Sequence, residues 1–70
     1  MHRYPEVDGV RLKQLRMERA LSQQDLERMT GVAQATLSAL EHGKRPARPS
    51  TIRKLAEALD VEPKELMKKE

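Results

Sequence analysis

The segment from Ser22 to Gly43 has the pattern of two short helices joined by a tight turn. Ser22 is a typical helix N-cap, and Asp25 three positions later has the spacing of a capping box. Gly31 stands where the first helix would end, because glycine adopts the left-handed conformation of that position at little steric cost. Helices this short are not stable alone in water, so the segment requires a fold in which both helices share a core.

The second helix of this segment is predicted from about residue 33 to residue 41, and Gly43 would end it. Ala33 has no side-chain hydrogen-bond acceptor, so it cannot cap this helix, which should cost about 1 kcal/mol of local stability. Apolar residues of the two helices are expected to face the shared core: Leu26, Met29, Val32, Leu37 and Leu40.

Composition limits the core to aliphatic side chains and the chain to one small domain. The 70 residues include one Tyr and neither Phe nor Trp, and leucine and alanine favour helix over strand. Without cysteine there is no disulfide or thiolate metal site, which fits a reducing, cytoplasmic location. Because the longest apolar runs are a few residues, we expect no membrane span, signal peptide or membrane association.

The sequence before Ser22 predicts a flexible lead and one helix. Residues 1–7 lack helical periodicity and contain a proline, so we interpret them as a mobile arm or a short extended lead. Asp8 is a candidate cap for a helix over about residues 9–19. Its inward-facing residues would be Leu12 and Leu15, with Leu21 closing its end.

The sequence after Gly43 predicts a constrained loop and two further helices within a single domain over residues 8–70. Ser50 is a candidate cap for a helix over residues 51–59, and Pro63 suits the first position of a short last helix. The apolar residues at core spacing are Ile52, Leu55, Ala56, Leu59 and Leu66, with Met67 as a further candidate, whereas residues 68–70 should fray. The predicted fold is an all-α bundle of about five short helices.

Charge is distributed unevenly along the chain, although the net charge is only +3. No acidic residue occurs between His42 and Ala56, where the basic residues are Lys44, Arg45, Arg48, Arg53 and Lys54. A second basic group, opposed only by Glu18, consists of Arg11, Lys13, Arg16 and Arg19. Either group could be a solvated surface. A basic segment directly after a helix-turn-helix, however, is where the phosphates of a nucleic acid would be contacted.

Several short motifs recur in one order: Leu12, Leu15 and Arg16; Ser22-Gln23 and Leu26; Gly31-Val32; Thr36-Leu37-Ser38; Leu40-Glu41 with Gly43-Lys44-Arg45; and Pro49-Ser50 through Lys54-Leu55-Ala56-Glu57-Ala58-Leu59. With this order and spacing the chain resembles the lambda-repressor-like helix-turn-helix domains of the Xre and Cro type, over about residues 9–66. The resemblance implies a DNA-binding domain whose second motif helix, the recognition helix, enters the major groove. Glu27 departs from the family pattern, which usually has alanine where the two motif helices cross. We expect its carboxylate to point outward and its methylene groups to pack on the partner helix.

Four outward positions of the recognition helix are candidates for contacts with base edges: Gln34, Ala35, Ser38 and Ala39. Gln34 can pair with adenine through two hydrogen bonds, and Ala35 can contact a thymine methyl group. Ser38 can donate or accept, and Ala39 is small enough to allow close approach. The alternative is a solvent-facing surface, although such a surface would be expected to carry more Lys and Glu.

A further set of residues is predicted to contact phosphates. Gln23 lies in the first turn of the earlier motif helix, where free backbone N–H groups favour an anion. The other candidates are His42, Lys44, Arg45, Arg48 and Thr51. A metal site at His42 is disfavoured, because His2 is the only other histidine and no ligand cluster surrounds it.

Arg16 and Glu41 are assigned a structural role by the resemblance. In the family, the matching residues form an ion pair between the first helix and the end of the recognition helix. The arginine fork suits a carboxylate, and such a pair would orient the recognition helix and leave Arg16 near a phosphate. Two independent surface charges are the alternative.

These features predict a sequence-specific transcriptional regulator, a repressor by preference, that binds double-stranded DNA as a homodimer in the cytoplasm, at the nucleoid. The alternative is an antitoxin or adaptor whose main partner is a toxin or another regulator, with secondary DNA binding. No cofactor or metal is expected. An enzyme is disfavoured, since the sequence offers no cysteine nucleophile and no Ser-His-acid constellation.

Overall fold

The computed structural model describes residues 4–69 and shows an all-helical arrangement. Its elements, in order, are α1 (Gly9–Glu18), α2 (Gln23–Thr30), α3 (Gln34–Glu41), α4 (Pro49–Leu59) and a C-terminal 3-10 helix (Pro63–Leu66). The predicted all-α fold is confirmed, and the fifth helix is a single 3-10 turn. No helix among the described residues is long and apolar enough to span a membrane.

The helix ends follow the capping signals of the sequence at α1 and α2. The Asp8 carboxylate accepts a hydrogen bond of 3.1 Å from the backbone N–H of Arg11 at the start of α1. At α2 the capping box is complete: Asp25 N donates to Ser22 Oγ at 2.9 Å, and Ser22 N donates to Asp25 Oδ2 at 2.8 Å. Gly31 ends α2 with φ of 78°, the left-handed conformation that favours glycine.

Of the next two helices, α3 begins close to its predicted start and α4 does not. Helix α3 begins at Gln34, and Ala33 at its N-cap makes no side-chain capping hydrogen bond, as expected. Helix α4 begins at Pro49 rather than at Thr51, so the prediction of Ser50 as its cap was wrong. Proline suits the first position of a helix, because its fixed φ is helical and the missing N–H has no partner there in any case.

Twelve aliphatic residues form the core: Val7, Leu12, Leu15, Leu26, Leu37, Leu40, Ala47, Ile52, Leu55, Ala56, Leu59 and Leu66. Two predicted core residues were wrong, since Met29 is 53% exposed and Met67 is 37% exposed. Met29 lies about 60° around the helix from Leu26, outside the narrow face of α2 that meets the core. Met67 is extended, so its side chain points away from the side that buries Leu66.

The residues directly before α1 form backbone hydrogen bonds with the rest of the domain. Val7 is buried and forms an antiparallel bridge with Met67. Hydrogen bonds run from Asp8 N to Leu66 O at 2.8 Å and from Lys68 N to Glu6 O at 2.9 Å. Of the two interpretations of residues 1–7, the short lead and not the mobile arm fits Glu6 and Val7, which are attached to the chain after the 3-10 helix. Residues 1–3 lie outside the described residues, and the contact involves part of the segment that we expected to fray.

A close backbone contact fixes the start of α1 against the end of α3. A Cβ atom placed on Gly9 would lie 2.4 Å from the carbonyl oxygens of both Leu40 and Glu41. Real Cβ atoms do not approach carbonyl oxygens so closely, so only glycine fits there without a backbone shift. The sequence did not single out this position as one that requires glycine.

Candidate nucleic-acid interface

Helix α3 has one buried and one open face. Leu37 and Leu40 are fully buried, and the helix packs against both α1 and α2. Gln34 and Ala35, at its N-terminal end, are exposed. Ser38 and Ala39 are half-buried, so they are less open than their predicted outward positions imply. The most accessible side chains of this face are therefore those of its first turn.

Arg16 and Glu41 form a bidentate ion pair between α1 and the end of α3. Arg16 Nε donates to Glu41 Oε2 at 2.7 Å, and Arg16 Nη2 donates to Glu41 Oε1 at 3.0 Å. Arg16 Nη1 also donates to the Leu21 carbonyl at 2.8 Å. The side chains of Arg16 and Glu41 are only 11% and 2% exposed. The pair thus ties α3 to α1 and to the link between α1 and α2.

The charge of Glu41 is maintained by its hydrogen bonds. Burial by itself would raise the pKa of Glu41, but hydrogen bonds from Arg16 and Gln23 outweigh burial and hold the pKa below its usual value. The same pairing raises the pKa of Arg16. Both groups are therefore ionised at neutral pH, as a buried pair requires.

Gln23 joins this pair as a third partner, a role that the sequence analysis did not include. Its Nε2 donates to Glu41 Oε1 at 3.2 Å, so α1, α2 and α3 meet through three side chains. Arg16 is largely covered and donates three hydrogen bonds within the domain. Its geometry therefore favours a structural role over the phosphate contact that the sequence also suggested.

The loop between α3 and α4 carries exposed cations beside the helix-turn-helix. Lys44, Arg45 and Arg48 are exposed, and Thr51 is half-buried at the start of α4. A shallow groove runs from this loop to the turn between α2 and α3, and none of the described residues that line it is acidic. Its polar and charged lining residues are Tyr4, Thr36, Arg45, Arg48, Thr51 and Lys54. Tyr4 and Thr36 were not among the predicted site residues, and Lys54 was noted only as part of the basic segment. Tyr4 reaches the groove because Ala47 N donates to Pro5 O at 3.2 Å.

His42 follows directly after α3 and is exposed. Its Nδ1 lies 2.7 Å from the Ser38 carbonyl, which requires a proton on Nδ1 because a carbonyl oxygen only accepts. Across residues 4–69 no group of three or more His, Cys, Asp or Glu side chains could hold a metal ion. His2 lies outside the described residues.

Glu27 is half-buried in α2, and within the part of the chain that the structure describes it forms no ion pair. The turn between α2 and α3 nevertheless forms as predicted. Thr30 Oγ1 donates to Leu26 O at 2.7 Å and accepts from Val32 N at 3.1 Å, which binds both sides of the turn together.

Comparison with known proteins places this geometry in one family. The family HTH_3, described as Helix-turn-helix, matches residues 12–66. The chain is 45% identical over 65 residues to the HTH-type transcriptional repressor RghR of Bacillus subtilis, a match that covers 91% of this chain and 48% of RghR. The chain thus spans about half the length of RghR and of the related regulator RghRB, where the match covers 43%.

Solved structures give the same result. The restriction-modification controller protein C.AhdI from Aeromonas hydrophila matches with a TM-score of 0.79 and 41% identity, over 84% of this chain and 89% of that protein. The biofilm regulator SinR of Bacillus subtilis, solved in complex with DNA, matches with a TM-score of 0.76 and 32% identity, over 80% of this chain and 90% of that one. This chain belongs to the HTH_3 helix-turn-helix family, the lambda-repressor-like group that its sequence resembles.

Proposed function

We propose that this protein is a sequence-specific DNA-binding transcriptional regulator, with α3 as its recognition helix in the major groove. The observation that carries the proposal is the open face of α3. Gln34 and Ala35 are exposed at its start, while Leu37, Leu40 and Glu41 hold the other face in the core. In helix-turn-helix proteins the N-terminal residues of the second helix contact base edges. Gln34 would read adenine, and Ala35 would contact a thymine methyl group.

The relatives support this function and its direction. RghR is named a transcriptional repressor, and SinR was solved in complex with DNA. By this analogy, repression is the direction that we propose for the present chain.

Phosphate contacts would come from residues on either side of α3. The exposed cations Lys44, Arg45 and Arg48 follow the helix, and Thr51 lies near the N-terminus of α4. His42 keeps its Nδ1–H for the Ser38 carbonyl, so it would donate to a phosphate from Nε2 as the doubly protonated imidazolium. On the other side, Gln23 uses one amide N–H for Glu41, which leaves its second N–H available to a phosphate.

We infer that the protein binds DNA as a homodimer, because its recognition helix is short. Helix α3 has eight residues, hence a length of about 12 Å, which is enough to meet only a few base pairs. Proteins of this kind commonly extend the reading by pairing two subunits on half-sites about one helical turn apart. Because Ser38 and Ala39 are small, we also expect DNA shape to contribute to the specificity.

Selection of bound duplexes from a random pool, followed by sequencing, tests the proposal. The expected result is one enriched site with two related half-sites, about 10 base pairs apart from centre to centre. Absence of any binding to random duplex by fluorescence anisotropy, at about 50 mM salt where nonspecific phosphate contacts are strong, would overturn it. That outcome would favour the adaptor or antitoxin hypothesis, in which another protein is the main partner.

A further inference from the structure

The chain after the 3-10 helix runs beside the start of α1. The backbone bridge between Val7 and Met67 and the hydrogen bond of 2.9 Å from Lys68 N to Glu6 O hold it there. The start of α1 in turn lies against the end of α3, because Gly9 packs on the Leu40 and Glu41 carbonyls. Lys68 and Lys69 are thereby brought to the end of the recognition helix.

The C-terminal segment and the end of α3 together line one shallow depression. Its lining includes Lys68 and Lys69 from the C-terminal segment and His42 and Gly43 from the end of α3. Both lysines are exposed, and neither forms an ion pair within residues 4–69.

The acidic side chains of the depression are engaged elsewhere. Its lining includes Asp8 and Glu41, and the Asp8 carboxylate accepts from the backbone N–H of Arg11 at the start of α1. Glu41 is paired with Arg16 and Gln23. Arg16 balances the charge of Glu41, so two lysine charges face one remaining carboxylate, that of Asp8. The depression therefore has a net positive charge and favours an anion.

We propose that Lys68 and Lys69 bind a DNA phosphate beside the C-terminal end of the recognition helix. This inference rests on the proposed function and adds a backbone contact to it. The basic loop of Lys44, Arg45 and Arg48 lies on the side where the chain leaves α3. Lys68 and Lys69 lie at the same helix end but on the side of α1, so they extend the phosphate-contacting surface past His42.

The salt dependence of DNA binding tests this contact. Each phosphate contact contributes about 0.9 to the slope of log affinity against log salt on B-form DNA. We therefore expect Lys68→Ala and Lys69→Ala, measured singly by anisotropy on the selected duplex, to lower the affinity. At least one of them should make the slope shallower by about 0.9. Lys68→Arg should retain the wild-type slope, because it keeps the charge.

Lys64→Ala is the matched control. Lys64 is exposed on the 3-10 helix and does not line the depression, but its loss changes the net charge by the same amount. If Lys64→Ala shifts the slope as much as the two test variants do, the effect is general electrostatics and the proposed contact is wrong. Unchanged slopes in both test variants, with normal wild-type binding, overturn this contact alone. A wild-type protein that does not bind DNA overturns the proposed function with it.

Discussion

The Arg16 guanidinium holds the Glu41 carboxylate through two hydrogen bonds, of 2.7 and 3.0 Å, at the point where α3 ends. Glu41 also accepts from Gln23, so one buried carboxylate connects three helices. The pair fixes the C-terminal end of α3, whereas the proposed base contacts lie at its N-terminal end. In the proposed function, the pair would orient the face of α3 that reads bases.

Arg16→Ala should destabilise the domain by about 3 kcal/mol or more, because it leaves Glu41 buried without its cation. Arg16→Lys should cost less, since it keeps the charge but loses the fork that makes two bonds. Denaturant unfolding of the three proteins measures both effects. A loss below about 1 kcal/mol for Arg16→Ala would place this pair among ordinary surface ion pairs.

Stability should fall in acid, in part through Glu41. Its pKa lies below the ordinary value of 4.5 in the folded protein. Its contribution is therefore complete above about pH 4.5 and is lost as the pH falls through the lower, folded-state pKa. The Asp25 and Glu65 carboxylates have lowered pKa values as well, through hydrogen bonds from Ser22 and Arg11. Thermal unfolding from pH 7 to pH 3 should thus show a weaker acid dependence in Glu41→Gln than in the wild type; an identical dependence would contradict the assignment.

Gly9→Ala should destabilise the domain by about 1 to 3 kcal/mol, since its Cβ would lie 2.4 Å from two carbonyl oxygens of α3. Backbone atoms cannot move aside as a flexible side chain can, so the start of α1 must shift. Val10→Ala is the control in the same turn, because Val10 is 79% exposed and its truncation should change little. Equal melting temperatures for the two variants would show that α1 and α3 are not in such close contact.

Ala20→Gly should stabilise the protein by about 0.5 to 1 kcal/mol. Ala20 has φ of 54° in the link between α1 and α2. A left-handed conformation costs a residue with a Cβ about 1 to 2 kcal/mol, partly offset by the greater flexibility of glycine in the unfolded chain. Asp60, with φ of 58°, provides a comparison. Because Asp tolerates this conformation better, Asp60→Gly should gain less. A lower melting temperature for Ala20→Gly would show that this conformation is not strained.

The features that the sequence predicted well are those with local causes. The capping box at Ser22, the glycine turn at Gly31 and the aliphatic spacing of α1, α3 and α4 each depend on residues a few positions apart. The resemblance to a known family added the Arg16 and Glu41 pairing, which joins residues far apart in the chain.

The features that the sequence missed depend on tertiary contacts. Val7 is buried because it bridges to Met67, and no pattern near either residue indicates that partner. Gly9 looks like an ordinary helix start until α3 is placed against it. The ion pair of 2.8 Å between Arg11 and Glu65, which ties α1 to the 3-10 helix, also joins distant parts of the chain. At the candidate site, Gln23 was predicted from its place at a helix start, but its contact with Glu41 required the packing of α2 on α3.

In the proposed function α3 reads bases through its first turn, and the base preference of Gln34→Ala is the sharpest test of this role. Affinity of wild type, Gln34→Ala and Lys44→Ala would be measured for the selected site and for every single-base change within it. Gln34→Ala should lose about 1 to 3 kcal/mol and relax the preference at one position, whereas Lys44→Ala should weaken all sequences alike. A Gln34→Ala variant that loses affinity evenly across all sites, or that keeps the full preference, would show that Gln34 does not read a base.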